Sequence, residues 1–235
     1  MDVKGAIRRG RMRAAWWVKV FDLVRPVFSA EGRSRILTRA WHRSEVHQTT
    51  AYTEPDRYPE LMALAAKLNP RPSRILSFGC STGEELATLR CYFPKAQIVG
   101  AEINARSRRI AKSRIGADSG ISVVAPEGVS GTFAMIFALA VFQREPHKVV
   151  NMGVEDLSRH YPFARFDRGV RSLVDCLDPG GLLCVMHAHY PVETASAFAE
   201  LDAIANSPRM ELPLFGADGQ RLANPIASSI FRKRA

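Results

Sequence analysis

The apolar pattern changes period within one short run, Arg74-Ile-Leu-Ser-Phe-Gly-Cys-Ser-Thr-Gly-Glu-Glu-Leu-Ala-Thr-Leu89. Ile75, Leu76 and Phe78 read as a short buried strand. Gly79 to Gly83 is a turn of small residues, after which Leu86 and Leu89, with Ala87 between them, take helical spacing. The alternation continues downstream. Strands are expected at about Arg74–Phe78, Gln97–Ile103, Ile121–Ala125, Phe133–Ala140 and Leu182–Ala188. Helices are expected at about Glu84–Tyr92, Ala105–Ile115, Phe166–Leu177 and Glu193–Ala205. Two last apolar stretches, Met210–Phe215 and Ile226–Arg232, read as strands around Gly216-Ala-Asp-Gly219. Alternating strands and helices imply an α/β fold with a mostly parallel sheet, and the final hairpin fits an antiparallel edge.

A strand that enters a helix through small residues exposes backbone N–H groups and lets a ligand approach closely. The second strand ends on a carboxylate, Glu102. An acid at that place typically accepts hydrogen bonds from ribose hydroxyls, so an adenosine-containing cofactor is expected. The glycine spacing departs from the dinucleotide pattern: Gly79 and Gly83 are separated by Cys80, Ser81 and Thr82. Glu84 and Glu85 open the helix and would repel a diphosphate. They suit a ligand that carries a cation. S-adenosylmethionine, with a sulfonium, an ammonium and no phosphate, meets that requirement.

Gly79-Cys-Ser-Thr-Gly-Glu-Glu85 resembles motif I of the Rossmann-like S-adenosylmethionine-dependent (class I) methyltransferases, and is most similar to the form in their chemotaxis-receptor branch. Phe133 to Phe142 resembles the fourth-strand motif. Leu177-Asp-Pro-Gly-Gly-Leu-Leu-Cys-Val185 resembles the turn and fifth strand that follow it. The likeness runs from about Arg74 to Ala188. It implies a three-layer, seven-stranded sheet with an antiparallel C-terminal hairpin strand. It also implies cofactor contacts from Phe78, Gly79, Cys80, Ser81, Gly83, Glu102, Ile103, Ala138 and Leu139.

Methyl transfer needs an acceptor held close and collinear in a dry site, and a base if the acceptor atom is protonated. In the families that the chain resembles, the residues after the fourth strand face the methyl group. Here they are Ala138-Leu-Ala-Val-Phe-Gln143. They lack the Asn/Asp-Pro-Pro-aromatic motif of base-amine methylation and the Pro-Cys pair of cytosine C5 methylation. They also lack a carboxylate for magnesium, so a metal-independent O-methylation of a small-molecule, saccharide or lipid-linked acceptor is expected. An RNA or protein methyltransferase and a non-catalytic cofactor-binding subunit remain as alternatives. Candidate bases are His187 and His189, at the end of the fifth strand, where their spacing puts both on one side of the chain. Tyr52 is a third candidate. Its stretch, Thr49 to Tyr58, resembles the Thr-x-aromatic-aromatic-Arg segment of chemotaxis methyltransferases, although Arg57 does not align. Two histidines without a third ligand do not make a metal site.

Charge divides the chain. Residues 1–50 hold eleven Lys/Arg and four Asp/Glu, a balance of +7, and all three tryptophans; the remainder carries +3. A basic, Trp-bearing helical segment (1–69) is therefore expected before the catalytic domain (70–235), with Asn69-Pro-Arg-Pro72 as the boundary. Trp17, Phe21 and Val24 share a helical face. Residues 1–45 could lid the site or contact an anionic membrane peripherally; nucleic acid is the less favoured partner because no RNA-binding module is recognisable. The longest apolar run, Phe133 to Phe142, is too short to span a bilayer, and no signal peptide is recognisable. Cys80, Cys91, Cys176 and Cys184 have no C-x-x-C spacing and read as buried free thiols of a cytoplasmic protein.

Overall fold

The computed structural model describes residues 29–42, 46–48, 53–206, 212–223 and 227–235. Tyr52, Trp16, Trp17 and the Phe21 face lie outside them. The chain divides into two compact units, Met1–Arg43 and Ser44–Ala235. In the first, helix α1 (Ala30–Trp41) is capped by Ser29, whose hydroxyl accepts from the Gly32 N–H at 2.9 Å. Such a cap satisfies one of the donors that a helix start leaves open.

The second unit begins its regular structure with α2 (Pro59–Leu68), which has proline in its first turn and buries Leu61, Met62 and Ala65. There follow β1 (Arg74–Phe78), α3 (Glu84–Tyr92), β2 (Gln97–Ala101), α4 (Ala105–Ile115) and β3 (Ile121–Val124). A short 3-10 turn, Pro126–Gly128, stands where a longer crossover could have been, and leads to β4 (Phe133–Leu139). The rest is α5 (Pro146–Asn151), α6 (Phe163–Asp175), β5 (Leu177–Met186), β6 (Leu201–Ala205) and β7 (Ile230–Lys233). The seven strands lie in the order β3-β2-β1-β4-β5-β7-β6. Pairing is parallel from β3 to β5, and β7 runs antiparallel to both β5 and β6. This is the Rossmann-like sheet expected from the sequence.

Side chains alternate along each strand, so two cores form. Ile75, Ile98, Val123, Phe137, Leu139 and Cys184 face α2, α3 and α4. Leu76, Ile136, Ala138, Leu183, Val185 and Phe231 face α6, which contributes Phe166, Val170, Leu173 and Val174.

Two expectations change at the end of the chain. Residues 193–205 do not form one helix. They make two short 3-10 turns, Val192–Thr194 and Ser196–Glu200, and then the edge strand β6. Alanine-rich composition favours a helix, but pairing with β7 wins, as tertiary context often overrides propensity. The hairpin strands accordingly sit at 201–205 and 230–233, while Phe215 makes only an isolated bridge to Arg221. Cys80 and Cys184 are buried as expected, whereas Cys91 is exposed; all four thiols are free. Among the described residues, no helix is long and apolar enough to cross a membrane.

Gly100 on β2 shows how tightly α3 seats on the sheet. A Cβ there would stand 2.8 Å from Cys80 Sγ and 2.9 Å from Leu86 Cδ1. Overpacking of this kind costs about 1–3 kcal/mol. Gly100→Ala is therefore expected to lower the urea midpoint with little change in slope. An unchanged midpoint would mean that Cys80 and Leu86 can yield at no cost.

Candidate active site

The strand order reverses direction between β1 and β4, and ligand crevices of open α/β sheets lie beyond the strand C-termini at such a point. Backbone strain collects there. Among the described residues, the non-glycines with positive φ are Asp56, Ser81, Ala140, Glu145 and His187. Ser81 follows β1, Ala140 and Glu145 follow β4, and His187 follows β5. Each costs on the order of 1–2 kcal/mol, and such residues persist where their surroundings over-determine them.

The turn after β1 is locked to β2. Gly79 and Cys80 both donate their N–H to the Ala101 carbonyl, at 2.8 and 3.1 Å. The Ser81 N–H donates to Glu102 Oε2 at 2.9 Å, and the Asn104 N–H to Glu102 Oε1 at 2.7 Å. The Gly83 N–H reaches the Cys80 carbonyl. These N–H groups are thus engaged rather than open, because parallel pairing carries the last carbonyl and the carboxylate of β2 into the turn. A carboxylate oxygen has a second lone pair, so Glu102 keeps capacity to accept from a diol. Burial pushes its carboxyl above the ordinary range, against the backbone hydrogen bonds from Asn104 and Ser81.

Both glycines of the turn are needed for space as well as for φ. A Cβ on Gly79 (φ +81°) would lie 2.5 Å from Val141 Cγ2, so the loop after β4 closes directly on the turn. A Cβ on Gly83 (φ +92°) would lie 3.1 Å from the Ala111 backbone, where α4 crosses α3. Phe78 and Ile103 are half-buried beside the turn, and Ala138 and Leu139 are buried at the tip of β4. Cys80 turns its side chain away into the core below Gly100.

The two acids that open α3 have different surroundings. Glu84 pairs with Arg114 at 2.6 Å and accepts from the Thr82 hydroxyl at 2.7 Å. Glu85 accepts from the Ser77 hydroxyl at 2.7 Å. It keeps a solvent-exposed edge, yet burial pushes its carboxyl up to about 7, against the Ser77 hydrogen bond and the Arg57 charge. A carboxyl poised at that value ionises readily when a cation approaches.

His187 and His189 enter different surroundings, because the left-handed backbone at His187 (φ +52°) breaks the alternation. His187 Nδ1 lies 2.8 Å from the hydroxyl of Tyr58, and the two rings meet edge to face. Burial raises the Tyr58 pKa, so the phenol keeps its proton. His189 is fully buried, with Nε2 3.1 Å from the Arg144 carbonyl and the ring against Phe215. Burial lowers its pKa, against hydrogen bonds to the backbone of Arg144 and Pro213. Among the described residues, the buried Oε1 of Gln143, just after β4, has no hydrogen-bond partner.

Two groups escaped the sequence reading. Tyr58 lies in the very stretch from which Tyr52 was chosen, but only the fold brings it to His187. The other is His47. Its Nδ1 is 2.5 Å from the Tyr161 hydroxyl, and its ring packs edge-on against Phe142 at 5.0 Å between centroids and Phe78 at 6.4 Å. Burial, followed by the charges of Arg165, Arg144 and Arg168, pushes it down to about 3. No spacing or motif marks an isolated histidine of this kind. Among the described residues, no group of three or more His, Cys, Asp or Glu could hold a metal ion.

No protein-family model matches the chain, and no curated protein does. Among solved structures it is similar to CalS10, an amino pentose methyltransferase from Micromonospora echinaspora with S-adenosylmethionine bound. Identity there is 20%, over 66% of this chain and 57% of that one, with a TM-score of 0.42. It is also similar to the N-methyltransferase NodS from Bradyrhizobium japonicum (17% identity, 77% of this chain, 99% of that one, TM-score 0.44). A third is the cyclase SpnF (20% identity, 53% and 43%, TM-score 0.38). The chain thus spans little more than half of CalS10 and less than half of SpnF. Likenesses this distant carry neither substrate nor activity over to this chain.

The Glu85 environment makes a pH prediction. Its folded pKa of about 7 lies above the ordinary 4.5, so the fold favours the protonated acid. That stabilisation is complete below about pH 4.5 and is lost as pH rises through 7. Glu85→Gln mimics the protonated form and lacks the dependence. Between pH 4.5 and 8, wild type should lose roughly 2–3 kcal/mol relative to the variant. Urea unfolding of both proteins across that range measures it, and a constant difference would show a normally titrating carboxyl.

Proposed function

We propose that the chain is an S-adenosylmethionine-dependent methyltransferase acting on an oxygen of a small-molecule, saccharide or lipid-linked acceptor. One observation carries the reading: the Glu102 carboxylate at the tip of β2 is hydrogen-bonded into the turn that joins β1 to α3. A carboxylate so placed is suited to a ribose diol. The surrounding residues fit the rest of the cofactor. Gly79 offers no Cβ, and Phe78, Ser81, Ile103, Ala138 and Leu139 border the same strand ends. Glu85 provides a carboxyl for an ammonium group, while the acidic start of α3 disfavours a diphosphate.

Bound S-adenosylmethionine would supply an electrophilic methyl group on its sulfonium. The chain's own task is then to align the acceptor, exclude water and take the proton that the acceptor oxygen releases. His187 is suited to take it, because Tyr58 fixes the imidazole at the end of β5. His189, buried and tied to the Arg144 carbonyl, suits the positioning of the loop after β4. Tyr52, outside the described residues, is kept as a third candidate for the same role. The tip of β4 carries no carboxylate, so the transfer needs no magnesium in this reading. The basic segment before the catalytic unit serves as its lid or, for a lipid-linked acceptor, as its membrane-surface element.

Removing the Glu102 carboxylate should weaken S-adenosylmethionine binding by about 1–3 kcal/mol, through lost charge-assisted hydrogen bonds. Titration calorimetry on wild type and Glu102→Ala tests this, with circular dichroism as the control for folding. Equal affinities in two folded proteins would place Glu102 outside the cofactor site.

A further inference from the structure

Helix α4 reads Ala105-Arg-Ser-Arg-Arg-Ile-Ala-Lys-Ser-Arg-Ile115, with five Lys/Arg in its eleven residues and no Asp or Glu. Two of the five hold the fold together. Arg108 Nη1 donates to the Glu102 and Ile103 carbonyls at 2.6 and 2.8 Å. Arg114 pairs with Glu84 at 2.6 Å and donates to the Thr82 carbonyl at 2.9 Å. Arg106, Arg109 and Lys112 take no part in these contacts. Steps of three residues set them on one stripe of the helix, on the side away from the buried Ser107 and Ala111. Arg109 and Lys112 are exposed and Arg106 is half-buried.

The rest of that surface is low. The other exposed residues on α4 and at its end are Ala105, Ser113 and Gly116, and those on the adjacent α3 are Ala87 and Cys91. The charged ends of Arg109 and Lys112 therefore stand above a floor of small side chains. Among the described residues, the exposed large apolar side chains are Ile36, Leu37, Val150, Met152 and Ile204, and none belongs to α3 or α4. This surface has nothing to insert into hydrocarbon, so any attraction through it is electrostatic. A nucleic acid is usually held by a groove and by aromatic rings on which bases stack, and neither stands on this layer. A plane of anionic headgroups asks only for cations on a surface that can approach it.

We propose that the outward face of α4, with Arg109 and Lys112 at its centre and Arg106 at its edge, docks on an anionic lipid surface. The face belongs to the second compact unit and is separate from the basic segment at residues 1–50. Helix α4 starts beside the tip of β2, capped by Asn104, so a chain held by this face carries the candidate site next to the lipid. Access to a lipid-linked acceptor rests on the methyltransferase reading; the docking face itself rests on the fold and the charges alone.

The test is co-sedimentation of the full chain with vesicles of phosphatidylserine and phosphatidylcholine in equal parts, and with pure phosphatidylcholine as the neutral reference. Wild type should bind the anionic vesicles alone, and binding should fall steeply as salt shortens the Debye length. A cation near such a surface contributes enough that the double variant Arg109→Gln/Lys112→Gln should bind at least about tenfold more weakly. Arg159→Gln/Arg168→Gln removes equal charge from exposed positions around the other core and should bind as wild type does. Equal losses in the two double variants would reduce the effect to net charge and overturn the proposal. Loss in Arg8→Gln/Arg9→Gln alone would overturn it too, and would assign the contact to the basic segment. A third contrary result is a chain that ignores anionic vesicles at low salt but binds a single-stranded oligonucleotide through Arg109 and Lys112. Vesicle binding does not depend on turnover, so its failure and that of the methyltransferase reading are told apart, and S-adenosylhomocysteine affinity should be unchanged in the α4 variant.

Discussion

One carboxylate ties three elements of this fold together. Glu102 leaves the tip of β2 and accepts one backbone N–H from the turn after β1 and another from the start of α4. Asn104, whose N–H it holds, in turn caps α4 by accepting from Arg106 and Ser107 at 3.0 Å each. A buried charge is tolerated only where hydrogen bonds replace its hydration. The same two bonds that satisfy Glu102 therefore fix the turn, and with it the space left above the strand ends.

The rest of the candidate site is arranged around that fixed point. The loop after β4 closes on Gly79 through Val141, and its strained Ala140 is held by the Met186 carbonyl at 2.9 Å. The loop after β5 is held in turn, with the His189 N–H on the Phe142 carbonyl and the Phe215 N–H on the His189 carbonyl. Strain at Ser81, Ala140, Glu145 and His187 is thus borne by interlocking hydrogen bonds at one end of the sheet. On one side stand Tyr58, His187 and Glu85, a proton-holding group. On the other stand His47 and the arginines, a positive group.

Much of this was legible in the sequence. The change from strand to helix period at Gly79–Gly83 located β1 and α3, and the acid ending the next apolar run located Glu102. Periodicity reports burial on one face, so it found the parallel core. It misread 193–205, where alanines carry a helical signal and the deciding contact is an edge pairing with residues near the chain's end. Open N–H groups were expected in the turn because local sequence does not show that the Ala101 carbonyl and Glu102 arrive beside it. Tyr58 and His47 were missed for the same reason: each becomes chemically interesting only through a partner more than a hundred residues away. The split between His187 and His189 needed a backbone angle that no residue type at position 187 announces.

The central claim is that the Gly79–Gly83 turn and the Glu102 tip together hold S-adenosylmethionine. Hydrogen–deuterium exchange of the full chain, with and without S-adenosylhomocysteine, tests it most directly. The account predicts slowed exchange concentrated in residues 77–86 and 100–106, with smaller effects at the end of β4. Binding that protects other segments while leaving those two unchanged, or no binding at all, would contradict it.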